Sequence, residues 1–167
     1  GCEKMATRYY LPLRHDVVAK CLWNAMHKLE CKEWAFDKNL DEAQSDGHID
    51  VRGDKEFWWN VPIKTCLKTK HNRPDMVVWN RTSKQCTIIE VSCPLDVNII
   101  AKENEKINVY GPLIRNLQLM YPDYKFTFIP IIVGATGYVT RNLAHYLMEL
   151  GFTNIGLLER HIRKPQV

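Results

Sequence analysis

The chain has 167 residues, 46% apolar and 25% charged, the balance of a globular domain with a substantial core. Its apolar stretches reach only about seven to eight residues, too short to cross a bilayer, and no secretory signal is visible, so no membrane partner is expected. The net charge of +4 is mildly basic and leaves the partner class open.

In chain order, Val17, Val18, Cys21, Leu22, Ala25, Met26 and Leu29 recur at helical steps and predict a helix over 14–31. Residues 38–54 are polar and Gly-containing, which reads as a loop. Strands are predicted over 57–63, 75–79 and 86–92, then a helix over 98–120 that Gly111-Pro112 should kink or restart. A β-rich run follows over 124–133, a helix over 140–150 that Gly151 stops, and a last basic helix over 154–163. This order indicates an α/β fold, a mixed β-sheet flanked by helices. The length predicts one domain over 1–167. The opening Gly-Cys in place of Met reads as a cut from a longer chain, with 1–13 left over from an upstream region. Six cysteines without a CxxC pair predict free, largely buried thiols.

Charge is distributed unevenly. Residues 37–56 carry seven acids against three bases, whereas 61–89 carry six bases and one acid, Asp75. A positive field around a lone carboxylate suits an anionic polymer such as nucleic acid, although a solvated surface would read the same way.

Asp75 and Glu90 bracket the two strands of RPDMVVWNRTSKQCTIIEVSCPLD, residues 73–96. If Asn80 pairs with Gln85 across the turn Arg-Thr-Ser-Lys, Asp75 falls opposite Glu90, with Cβ atoms roughly 4.5–5.5 Å apart. Two like charges so placed need neutralising, and a hard divalent cation held by oxygen ligands is one solution. A slipped register, or an ion pair with Arg73 or Lys84, is the other. On the next helix Ile99, Lys102, Lys106, Tyr110, Leu113 and Leu117 form one stripe, so two lysines fall on a core-facing surface. Such a lysine needs an anion, or must reach solvent at the stripe's edge.

Pro74-Asp75, then fourteen residues, then Glu90-Val91-Ser92 resembles the PD-(D/E)xK nuclease motif, with Ser92 where the lysine usually stands. RHDVVA at 14–19, RPDMVVW at 73–79, IIEVSCPLDVNI at 88–99, EK three residues before Tyr (105–110) and IPIIVGATG at 129–137 together resemble one branch of it. That branch is the restriction-like endonuclease domain of early-branching non-long-terminal-repeat retrotransposons, and the resemblance covers about residues 9 to 150. It implies a restriction-endonuclease-like αβββαβ core, with the lysine displaced to the following helix, where Lys106 stands four residues before Tyr110. It also implies an upstream zinc knuckle, whose last ligand Cys2 would be; no zinc site closes on that one cysteine.

The implied reaction is metal-dependent nicking of double-stranded DNA, of the kind that primes reverse transcription. Asp75, Glu90 and the Val91 carbonyl would hold Mg²⁺ or Mn²⁺, and Lys106 would orient water or stabilise transition-state charge. Arg14, His15, Lys70, His71 and Arg73 would contact nucleic acid, with helix capping an equal reading for the first two. Implied partners are the DNA target and an upstream reverse transcriptase with its RNA, in a nuclear or nucleocytoplasmic setting. Ser92 reads as a filler at the vacated lysine position.

Two other readings compete. IPIIVGATGYVTRNLAHYLMELGF, residues 129–152, resembles the dinucleotide-binding turn of short-chain reductases, but Thr140 stands in place of the third glycine. The second keeps the nuclease fold and loses the chemistry, leaving a DNA- or protein-binding module. Trp58-Trp59 could then present a ring for base stacking.

Overall fold

The computed structural model describes residues 8, 10–31 and 47–164. Cys2, the upstream stretch except residues 8 and 10–13, and residues 38–46 of the polar stretch lie outside the described residues. The elements are α1 (Leu11–Glu30), β1 (His48–Arg52), β2 (Lys55–Trp59), β3 (Met76–Asn80), β4 (Gln85–Ser92), a 3-10 turn (Asp96–Asn98), α2 (Ile99–Met120), β5 (Lys125–Ile132), α3 (Leu143–Glu149) and α4 (Ile155–Arg163).

The strands form one five-stranded sheet in the order β1-β2-β3-β4-β5. The first four pair antiparallel. The Lys125 and Val133 amides donate to the Lys84 and Ser92 carbonyls, the same order along both strands, so β5 runs parallel to β4. The sheet is therefore mixed, flanked by helices, a general α/β topology.

Within this sheet the chain divides into two compact units, Phe36–Glu90 with Glu105–Ile129, and Gly1–Ala35 with Val91–Asn104 and Pro130–Val167. In the first, Val77 and Trp79 of β3 and Cys86 and Ile88 of β4 pack with Tyr110, Leu113 and Leu117 of α2. Alternation along the strands and three- and four-residue steps along the helix put these seven side chains on facing surfaces. Asn80 pairs with Gln85, and the Asn80 side-chain oxygen accepts the Ser83 amide at 3.0 Å, which pins the turn and hence the register. In the second unit Val18, Leu22, Trp23 and Met26 of α1 are buried, as are Ile131, Ile132, Leu143, Leu147 and Ile162.

Four elements depart from the sequence reading. β2 runs Lys55–Trp59 rather than over 57–63, with Asn60 after it at a positive φ of 51°. β1 occupies part of the presumed loop: its Ile49 and Val51 are exposed while His48 and Asp50 are half-buried, a five-residue edge strand with two apolar residues inside a polar, Gly-containing stretch. Pro112 sits inside an unbroken α2; it removes one helical bond, and Asn108, whose carbonyl loses that partner, is exposed and open to water. α3 begins at Leu143, later than expected, because the Thr140 hydroxyl and Asn142 amide donate to buried Glu103 at 2.9 and 3.3 Å. Of the described cysteines, 86 and 93 are buried, 21 is half-buried, and 31 and 66 are exposed; all five are free.

Leu113 is fully buried at the centre of the first unit's core. Leu113→Ala is expected to cost about 2–5 kcal/mol, read as a lower urea midpoint with an unchanged slope.

Candidate active site

Asp75 stands one residue before β3. Its carbonyl accepts the Asn60 amide at 2.8 Å, so the backbone continues the β2–β3 ladder. The pairing of Met76 with Ile89 places Asp75 and Glu90 at the next opposed positions. Alternation carries both to the face of Val77 and Ile88, which α2 covers.

On that face Glu90 is 7% exposed. Its Oε2 accepts the Asp75 amide at 3.1 Å, and its Oε1 lies 3.0 Å from the Lys106 Nζ. Burial raises the Glu90 pKa and the Asp75 charge raises it further, while Lys106 and the Asp75 amide oppose both. One turn on, the buried Tyr110 donates to the Arg73 carbonyl at 3.5 Å, the long end of hydrogen bonding. Its phenol is pushed well above the ordinary range by burial, then by Glu90 and by Asp75. The structure thus brings Asp75, Glu90 and Lys106 together within one compact unit, with Tyr110 beneath them. Val91 follows Glu90 on β4, its side chain buried.

Among the described residues no group of three or more His, Cys, Asp and Glu side chains is placed to hold a metal ion. The side-chain donors at this point are two carboxylates, hard oxygens, and the Glu90 carboxyl is held up first by burial and then by its like-charged neighbour. That set fits a hard divalent cation completed by water better than a thiophilic one.

The basic residues divide. Lys70, His71 and Arg73 are exposed on the segment leading to Asp75. The His71 ring centroid is 6.3 Å from that of Tyr110, and Arg73 Nε donates to the Asn60 carbonyl at 3.1 Å. His15, in the other unit, lies half-buried with Nδ1 3.1 Å from Asp16 Oδ1. Arg14 differs from a phosphate clamp: it is fully buried, and its guanidinium donates to the carbonyls of Gly134, Lys164 and Arg163 at 3.1, 2.8 and 3.1 Å. With its fork spent on three backbone acceptors, it ties α1 to the loop after β5 and to the end of α4, a role the sequence reading missed.

The reductase-like turn is also occupied from within. The amides of Gly134, Ala135 and Gly137 donate to the carbonyls of Tyr138, Pro94 and Gly134. The Thr136 amide donates to Asp96 Oδ1 at 3.1 Å, and its hydroxyl to Oδ2. No amide of the turn remains for a pyrophosphate, and an internal carboxylate sits where that anion would bind. The two glycines serve this close packing: a Cβ at Gly134 would strike Asp96, and one at Gly137, where φ is 103°, would lie 2.6 Å from the Arg163 carbonyl.

Because the folded Glu90 holds its proton more tightly than the unfolded chain does, its contribution favours folding below its ordinary pKa and is lost as pH rises through the raised one. Glu90→Gln, which mimics the protonated acid, is therefore expected to stabilise the protein at neutral pH by about 0.5–2 kcal/mol. In urea unfolding followed against pH, that advantage should shrink as the solution is acidified. Compared with family models, with curated proteins and with solved structures, the chain finds no match.

Proposed function

We propose that this chain is a restriction-endonuclease-like domain that hydrolyses DNA phosphodiester bonds with a divalent metal ion, Mg²⁺ or Mn²⁺. The observation that carries the reading is the Lys106 ammonium 3.0 Å from Glu90, which itself holds the Asp75 amide across the β3–β4 pair. A structural ion pair needs one carboxylate; here a second sits opposite and works against the first. Such a like-charge arrangement at a partly open point of the sheet is characteristic of sites built to receive a cation.

In this reading Asp75, Glu90 and the Val91 carbonyl hold the metal. When bound, it supplies a polarised phosphoryl oxygen and a water of lowered pKa. Lys106 then has a free share of its three N–H donors for the charge that grows on the phosphoryl oxygens, or for orienting the attacking water. The Asp75 amide fixes the Glu90 rotamer, and Tyr110 closes the floor of the site to water. Lys70, His71 and Arg73 engage backbone phosphates, giving affinity without sequence preference. The family resemblance adds a nick that primes reverse transcription, with a polymerase and its RNA supplied by a longer parent chain in the nucleus.

A catalytically silent binding module is the second reading, and one observation favours it. Both Glu90 oxygens already have protein partners, so the cluster is partly neutralised without a metal. Supercoiled plasmid separates the two. With Mg²⁺ or Mn²⁺ the wild-type chain should nick it, and Asp75→Ala and Lys106→Ala should each lose roughly 100-fold or more in rate while retaining DNA affinity. Equal affinity in all three with no nicking by any would leave the module.

A further inference from the structure

A second feature of the same unit is not used by the metal cluster. Trp58, Pro62, Lys64, Trp79 and Tyr121 border a half-open cavity of about 290 Å³. The Trp58 and Trp79 ring centroids are 5.8 Å apart, and those of Trp79 and Tyr121 are 5.6 Å apart and edge-on. Both indole N–H groups are buried without a hydrogen-bond partner. A buried donor left so is costly, and a carbonyl or ring nitrogen brought into the cavity would be the missing acceptor once a ring turns slightly. Trp58 is only half-buried, which leaves it the freedom to make that turn.

The cavity is tied to the site by backbone. Trp58 pairs with Val77, two residues from Asp75, which is about 7 Å along a strand. The segment between them folds back on itself through Ile63 N–H to the Asn72 carbonyl at 2.7 Å and Asn60 N–H to the Asp75 carbonyl. That segment carries Lys64, Lys68, Lys70 and Arg73, all exposed. The chain between the recess, which Lys64 borders, and Asp75 is thus rich in exposed cations, and about 7 Å of strand, a step or two along a nucleic-acid strand, separates the level of Trp58 from Asp75.

We infer that this recess binds an unpaired nucleobase of the substrate, with Trp58 as the stacking face and Lys64 on the adjoining phosphate. The chain would then prefer single-stranded or locally opened DNA next to the point of cutting. This rests on the DNA-cutting reading for the polymer's identity, but not on turnover. Stacking on one aromatic face and a cation on the backbone are together sequence-tolerant and suit any base.

The test is fluorescence anisotropy without divalent metal, where no cleavage occurs, using labelled single-stranded DNA and an abasic strand of equal length and charge. The intact strand should bind roughly 5- to 150-fold more tightly than the abasic one. Trp58→Leu should abolish that difference, Trp58→Phe should keep most of it, and Lys64→Ala should weaken both strands alike. Equal affinity for the two strands, or no detectable binding of either, overturns the base site. So does a shift of the Trp58 and Trp79 indole resonances by an aromatic amino-acid amide but not by a deoxynucleoside monophosphate, which would assign the recess to a peptide side chain. Nicking of plasmid that persists without a base preference would leave the cutting reading intact, and a base preference without nicking would sink that reading alone.

Discussion

The structure turns on one buried carboxylate. Glu90 sits at the edge of the aromatic and aliphatic core that β3, β4 and α2 enclose, where water no longer screens its charge and Asp75 adds to the penalty. Two N–H partners, from the Asp75 backbone and the Lys106 side chain, keep it in place. β3, β4 and α2 set that geometry. The Asn80-held turn sets the register, the register opposes the acids, and the helical stripe brings the lysine over the sheet.

That arrangement stores a conflict rather than removing it. Filling the same volume with apolar side chains would stabilise the fold better than a carboxylate facing a carboxylate. Stability forgone at one point of an otherwise well-packed core is a common mark of a site that acts on something. The contrast with Glu103 is instructive: it too is buried, but its oxygens meet a hydroxyl and an amide, Thr140 and Asn142, in an arrangement without an opposed acid. It reads as a structural clasp for the turn before α3.

The β3–β4 pairing and the α2 stripe were legible because they depend on periodicities of two and 3.6, which the apolar residues of β3, β4 and α2 obey. Asn80 opposite Gln85 follows from a four-residue turn with polar side chains, and the placement of Lys106 over Glu90 follows from that register plus the stripe. What could not be read was set by long-range partners. Arg14 read as a nucleic-acid contact or a helix cap, but three carbonyls more than a hundred residues away take its guanidinium into the interior. The glycine-rich turn already departed from a dinucleotide site at Thr140, but its internal partner Asp96, forty residues earlier than Thr136, could not be read. The β1 edge strand hid because it is five residues long and lies within a polar, Gly-containing stretch.

Substoichiometric Mn²⁺ added to the isotope-labelled chain tests the central claim most directly, because paramagnetic broadening reports where the ion sits without requiring turnover. Metal held at the two carboxylates gives selective loss of the backbone signals of Asp75, Met76, Glu90 and Val91, reversed by excess Mg²⁺ and absent in Asp75→Asn. Signals at these residues that survive unchanged, or broadening confined to the acidic stretch between residues 37 and 56, would contradict it.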